Sequence, residues 1–313
     1  MENSEEKVTK SGFVALVGRP NVGKSTFLNK LIGQKIAIVS PKVQTTRTKI
    51  LGVYTYPQKD AQVVFVDLPG IHKPVDELGK TCLKISLDGA NEADLIIFMS
   101  EANHSPGQGD AWIVDWIKKH CPQIPLLVVL NKADLAKRQD RLKRDIVDYE
   151  ALFEHFEKKP TIMSISTLDG TGLEELLQKI HLELSEGPFY FPDDAPTNRS
   201  LRFLASELIR EQVLLQTDEE VPHSCAVTIE SYEEVAEPRE MVKIKAFILV
   251  ETESQKGILV GKKGSKIKEI GTKARLEIEE LVGSKVFLDL KIKVSPKWRR
   301  NNKVLNSLGL MEE

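Results

Sequence analysis

Residues 12–33 read GFVALVGRPNVGKSTFLNKLIG, and their reading decides the fold of the first half of the chain. The apolar run 12–18 predicts a buried strand, and KSTFLNKLIG (24–33) has helical spacing that stops at Gly33. Between them lies a loop with the spacing G-x-x-x-x-G-K-S. A strand, such a loop and a helix together make a phosphate cradle, because backbone N–H groups curl around anionic oxygens and the helix N-terminus adds partial positive charge. Gly18, Asn21, Val22, Gly23, Lys24, Ser25 and Thr26 are the candidate contacts. Lys24 is placed to reach a β- and γ-phosphate, and the Ser25 hydroxyl to bind Mg²⁺.

Outward from this stretch, apolar runs alternate with helical ones. ILGVYTY (50–56) and AQVVFVD (61–67) predict a hairpin, and ADLIIFM (93–99), IPLLVVL (124–130) and TIMSIS (161–166) predict buried strands. That rhythm predicts an α/β domain over 12–186, with a mostly parallel sheet covered by helices on both faces. A polar tail (1–11) precedes it.

Two further motifs follow in order. DLPG (67–70) ends a strand, so that Asp67 can hold Mg²⁺ through water and the Gly70 N–H can meet a γ-phosphate. NKAD (131–134) follows the strand 124–130. Asp134 can accept from the two adjacent N–H groups that guanine presents and adenine lacks. Asn131 is placed to brace the loops, and the Lys132 stem to lie over the base. The nucleotide pair is therefore GTP and GDP. Lys24 and Gly70 are the candidates for stabilising the transferred phosphate.

GPFYFPDDAPTN (187–198) has three prolines and no helical period, and reads as a linker. Residues 199–313 then run helix, strand, strand, short helix, GKKG (261–264), longer helix (265–282) and strand (285–294). This order is that of a smaller α+β, KH-type module, whose G-x-x-G loop clamps single-stranded nucleic acid backbone. Gly261, Lys262, Lys263, Gly264 and Lys266 are the candidate backbone contacts, with Ile258, Leu259 and Val260 in the apolar groove for bases. Residues 241–300 hold 15 Lys and Arg against 7 Asp and Glu; their +8 leaves −10 for the remainder of a chain whose net charge is −2. A basic module on an acidic body points to a polyanion bound at one end. A bland helix corner is the competing reading of GKKG.

The composition, 41% hydrophobic and 29% charged over 313 residues, is ordinary for a globular protein of two domains. Three scattered cysteines and six scattered histidines exclude zinc spacing and suit a reducing cytoplasm. The start carries no apolar targeting stretch, and IPLLVVL is too short to span a bilayer, so no transmembrane segment is expected.

The array GRPNVGKST, DLPG and NKAD resembles the translation-factor-like GTPases. Their first switch loop corresponds to QTTRTK (44–49), where Thr46, which directly precedes Arg47, is favoured over Thr45 to complete the Mg²⁺ shell. The fifth element, usually Ser-Ala, is Ser166-Thr167, whose backbone N–H is expected at the guanine oxygen. With QTTR, DLPGIHKP, RFLASELIREQ, VPHS, QKGILVGKKGSKIKEIG, SPKWRR and SLGL added, the resemblance covers essentially the whole chain and is to the bacterial Era GTPase family. It implies binding near the 3′ end of small-subunit 16S ribosomal RNA and maturation of the small ribosomal subunit. It also implies cytoplasmic localisation with peripheral contact at the inner membrane surface. Related enzymes carry glutamine after DxxG to orient water; Ile71 cannot, so slow intrinsic turnover is expected. In related GTPases an Asn in the phosphate loop lets K⁺ act beside the phosphates, and Asn21 stands there. Two alternatives follow from the same residues: a membrane-surface or cell-cycle signalling GTPase using the basic domain on anionic lipid, and an RNA-binding protein with a decayed nucleotide site. An apolar groove beside GxxG argues against the first, and intact Lys24, Ser25, Asp67 and Asp134 against the second.

Overall fold

The computed structural model describes residues 8–74, 77–136, 139–236 and 240–310. Most of the expected polar tail, residues 1–7, lies outside them. The chain divides into two compact units: the described residues of 1–36, 49–74 and 82–198, and those of 37–48, 75–81 and 199–313.

The first unit runs β1 (Lys10–Gly18), α1 (Lys24–Ile32), β2 (Ile50–Thr55), β3 (Ala61–Asp67), α2 (Glu77–Asn91, whose first turn falls in the second unit), β4 (Leu95–Glu101), α3 (Gln108–His120), β5 (Leu126–Asn131), α4 (Gln139–Leu152), β6 (Thr161–Ser164), α5 (Leu173–Glu183) and β7 (Ser185–Glu186). The sheet order is β2-β3-β1-β4-β5-β6. β1 is parallel to β3 and β4, β4 to β5 and β5 to β6, while β2 pairs antiparallel with β3 as the hairpin reading required. Every residue of β3 is buried, which is why its sequence is a continuous apolar run rather than an alternating one. Alternate side chains serve two cores. Ala15, Val17, Ile96 and Phe98 pack with Ile113 and Ile117 of α3 and Phe153 beyond α4. On the opposite face Phe27 of α1 meets Phe65 edge-on, ring centroids 5.7 Å apart. The short β7, not legible in the sequence, pairs antiparallel with the start of β1.

Residues 187–198, read as a linker, belong to the first unit. The fully buried Gln62 is the clamp: its Oε1 accepts from the N–H groups of Tyr190 (2.9 Å) and Phe191 (3.0 Å), and its Nε2 donates to Phe191 O (2.9 Å). The Pro196 carbonyl accepts from Val53 N (3.0 Å), and the Pro188 carbonyl from Ser11 Oγ (2.8 Å). The segment is a strap on the sheet.

The second unit contains α6 (Leu201–Gln216), α7 (Val221–Ser224), β8 (Ala226–Val235), β9 (Met241–Val250), α8 (Glu253–Val260), α9 (Ser265–Val282), β10 (Lys285–Val294) and α10 (Asn302–Ser307). Ser200 caps α6, its hydroxyl accepting from Phe203 N (3.2 Å). The three strands lie in the order β10-β9-β8, with β8 antiparallel and β10 parallel to β9. Ile244, Ala246 and Ile248 of β9 pack against Ile209 and Val213 of α6 and Ile270, Ala274 and Ile278 of α9. Trp298 is fully buried and donates from Nε1 to Ser224 O (2.8 Å), which ties the C-terminal stretch to α7.

Residues 37–48 are part of this unit, and specific bonds hold them. Ile38 joins its core. Buried Arg47 donates to the carbonyls of Cys225 (2.7 Å) and Pro222 (3.2 Å). Val39 N donates to Glu211 Oε1 (2.7 Å), and Arg210 to Thr45 O (2.5 Å).

Candidate functional site

The glycine-lysine loop leaves β1 and turns through Asn21 (φ 67°) and Gly23 (φ 102°), two residues in the left-handed region, before α1 begins at Lys24. A Cβ on Gly23 would lie 2.3 Å from Asn131 Nδ2, so the close passage of NKAD beneath the loop requires glycine there. Val22 is buried, and Thr26 is exposed on the first turn of α1.

Lys24 is buried, 6% exposed, and its Nζ donates to the carbonyls of Gly18 (3.1 Å) and Arg19 (2.9 Å). Burial pushes its pKa down to about 8, and the nearby Asp67 carboxylate opposes that shift. Ser25 Oγ donates to Asp67 Oδ2 at 2.6 Å. A hydroxyl and a carboxylate brought together at a helix start and a strand end are hard oxygen donors that fit Mg²⁺, which keeps its remaining positions for water and phosphate. Gly70 follows on the DLPG turn, and the next N–H, from Ile71, donates to Gly18 O (3.0 Å). The Ile71 side chain is packed in the core. It neither reaches nor orients water.

Asn131, 1% exposed, bridges three elements. Its Nδ2 donates to Val22 O (3.0 Å), and its Oδ1 accepts from the N–H (3.1 Å) and hydroxyl (2.9 Å) of Thr167. The N–H expected at the guanine oxygen is therefore turned to Asn131 in this structure, because the threonine hydroxyl and N–H chelate one amide oxygen. Alanine could supply only the N–H. Lys132 sits in the left-handed region (φ 63°), donates from Nζ to Asn21 O (2.9 Å) and pairs with Glu101. Asp134 is exposed on a 3-10 turn (Ala133–Leu135), where one carboxylate oxygen accepts from the buried Ser166 hydroxyl at 2.7 Å. The structure thus gathers NKAD, Ser166-Thr167 and the phosphate loop into one site. It groups Thr46, 8% exposed, with the second unit rather than with Ser25 and Asp67. Thr45 lies in the same segment, its hydroxyl donating to Lys42 O (2.7 Å).

One supporting layer was not legible in the sequence. Arg19 Nε donates to the fully buried Asp110 (3.0 Å), which also accepts from Ser100 Oγ (2.9 Å) and Gly107 N (3.0 Å). Nothing in the local pattern of α3 marks an aspartate as the anchor of a loop ninety-one positions away.

In the second unit, α8 opens with a reciprocal cap: Thr252 Oγ1 accepts from Gln255 N (3.2 Å), and Gln255 Oε1 from Thr252 N (3.3 Å). It closes at Gly261 (φ 68°, ψ −179°), a conformation reserved for glycine, where a Cβ would stand 2.7 Å from Lys266 Cβ. Gly264 (φ 79°) caps the start of α9 and has open space where a Cβ would go. Lys262 and Lys263 are exposed between them, and Lys266 is half-buried. Ile258 is exposed and Val260 half-buried, whereas Leu259 is fully buried in the core and lines no groove. A cleft of about 350 Å³ runs beside the loop, between Ile267, Gly271, Thr272 and Arg275 of α9 and Leu288 and Leu290 of β10. The i, i+4, i+8 spacing of Ile267, Gly271 and Arg275 was the available signal for it.

Residues 13–132 match the family described as 50S ribosome-binding GTPase, and residues 220–299 match the KH domain family. Among solved structures, the chain is similar to Era in complex with MgGDPNP and nucleotides 1506–1542 of 16S ribosomal RNA. The two are 39% identical, over 97% of this chain and 100% of that one, with a TM-score of 0.90. The same figures hold for a point variant of Aquifex aeolicus Era bound to GDP and AlF₄⁻. A phosphate loop, DLPG and NKAD gathered at one end of a mostly parallel sheet, a G-x-x-G turn between two helices and this likeness along nearly the whole chain make it a member of the Era GTPase family.

Proposed function

We propose that this chain is a slow GTP-hydrolysing switch of the cytoplasm that binds ribosomal RNA of the small subunit and acts in the assembly of that subunit. The observation that carries the reading is the paired glycine turn at Gly261 and Gly264 within the basic stretch 241–300, in a chain 39% identical to an Era bound to 16S ribosomal RNA. Lys24 and the loop N–H groups hold the phosphates, Ser25 and Asp67 hold Mg²⁺, and Asp134 reads guanine. Thr46, the candidate to complete the metal shell, lies in the segment 37–48 that is bonded into the second unit. GTP binding would therefore act on the RNA-binding unit directly. The same reading includes peripheral contact with the cytoplasmic face of the membrane, where the +8 charge of residues 241–300 attracts anionic lipid. No helix among the described residues is long and apolar enough to cross a membrane.

The glycine turn supplies the test. At Gly261 any side chain is strained by φ and by Lys266, so Gly261→Asp would disturb the fold as well as the ligand. Gly264→Asp is the cleaner variant, since its Cβ meets nothing and aspartate tolerates the left-handed region. It is expected to weaken single-stranded RNA binding by roughly tenfold or more, about 1.4 kcal/mol, with GTP affinity unchanged. Replacing Lys262 and Lys263 by glutamine should instead flatten the salt dependence, by about 0.7 in log–log slope for each phosphate that is no longer neutralised. RNA binding at full strength in all of these variants would reduce GKKG to a helix corner.

With Ile71 packed in the core, no side chain after DLPG assists hydrolysis, so stabilisation of the transferred phosphate becomes the larger lever. We propose that Asn21 would hold K⁺, which would supply positive charge to the transferred phosphate. Hydrolysis is expected to run faster in KCl than in NaCl at equal ionic strength. Identical rates would exclude the cation.

A further inference from the structure

The three-stranded sheet of the second unit has a face that the glycine-turn site does not use. Val242, Ile244, Ala246, Val286, Leu288 and Leu290 point to the helices. By the two-residue period, the intervening side chains point the other way. On β9 these are Lys243, Lys245 and Phe247, and on β10 Phe287, Asp289, Lys291 and Lys293. The strand register sets Phe287 against Lys243 and Lys291 against Phe247, so aromatic rings and ammonium groups alternate across the face. Lys293 Nζ stands 5.9 Å from the Phe247 ring centroid.

A solvated sheet face is the ordinary explanation, and lysines on an edge strand also guard against strand addition. Neither accounts for this pattern. β9 is the central strand, so Lys243 and Lys245 protect no edge. Phe287 is 58% exposed, where a merely solvated face would carry a polar residue. Among the described residues, Lys291 pairs with Asp289 at 3.2 Å, but Lys243, Lys245 and Lys293 make no ion pair. Asp289 and Glu233 are the acids interspersed on this face, so it is net positive.

We propose that this open face is a second binding surface for single-stranded RNA, on which bases stack against Phe287 and Phe247 while the four lysines take the flanking phosphates. The chemistry is that of a stacking platform in a basic field: every base has a π-face, so the contact tolerates sequence, and the lysines track the backbone. Because the cleft beside α9 opens along β10, the edge strand of the same sheet, a long strand leaving the glycine turn can pass over that edge onto the open face. The inference rests on the RNA-binding reading of this unit.

The test uses the full chain, a short single-stranded RNA of roughly 8 nucleotides and a long one of roughly 25. Two variants change the face alone: Phe287→Ala, and the triple replacement Lys243→Gln, Lys245→Gln and Lys291→Gln. All four side chains stand on the surface, and unchanged affinity for the short RNA checks that the second unit is folded. Phe287→Ala is expected to lower affinity for the long RNA about fivefold or more. The triple variant should lower it further and reduce its log–log salt slope by about 2. Neither should affect the short RNA. Gly264→Asp should weaken both RNAs; if it weakens neither while the face variants still weaken the long one, the glycine turn loses its role and the open face keeps its own. Parental affinity for the long RNA in both face variants overturns the proposal. So does loss of pelleting with phosphatidylserine vesicles while RNA affinity stays at the parental level, since the face would then be a lipid contact.

Discussion

Asp134→Asn is expected to move base preference from guanine toward xanthine. On the proposed reading the carboxylate would accept from two adjacent guanine N–H groups, and the structure gives it a further bond: one oxygen accepts from the buried Ser166 hydroxyl at 2.7 Å. That bond holds one oxygen of an otherwise exposed carboxylate on the 3-10 turn. An amide in the same place offers a donor where guanine also donates, whereas xanthine offers a 2-oxo acceptor. Loss of two charge-assisted bonds corresponds to roughly 2–4 kcal/mol, or about 30- to 1000-fold in GDP affinity. Parallel titrations with GDP and XDP check it. Equal GDP affinity in variant and parent would remove Asp134 from the base site.

Lys24→Ala is expected to lower turnover by about 10²-fold or more, the scale of losing one preorganised charge at a developing anion. The buried ammonium already donates to the Gly18 and Arg19 carbonyls, so it is aimed before the nucleotide arrives. Its depressed pKa adds a pH signature. In the nucleotide-free protein burial holds Lys24 near about 8, and a bound phosphate favours the charged form and raises that value. Binding then takes up a proton wherever the free lysine is neutral, so affinity should fall as pH rises past about 8. Guanine's own N1 proton acts in the same direction. The part of the slope that disappears in Lys24→Ala is the lysine's. Calorimetry in buffers of different ionisation enthalpy reads the proton directly, and turnover equal to the parent's would refute the phosphate assignment.

The elements themselves were legible because their causes are local. The β1 and β3 runs and the glycines at 23, 261 and 264, where φ is positive, each act over a few residues. Motif order then identified the phosphate loop, DLPG and NKAD as one nucleotide site, since a parallel sheet carries the ends of β1, β3 and β5 to the same edge.

What only the tertiary structure decided lies in bonds between distant residues. Thr167 stands 36 positions from Asn131, and its hydroxyl turns a departure from the family pattern into an added brace. Gln62 captures the backbone of Tyr190 and Phe191, so a proline-rich stretch that resembles a linker becomes part of the first unit. Arg47 and Cys225 are 178 positions apart, yet their buried bond ties residues 37–48 into the second unit. No local period encodes such contacts. Buried polar groups must find partners wherever packing brings them, and which partners those are is settled by the fold rather than by neighbours in the chain.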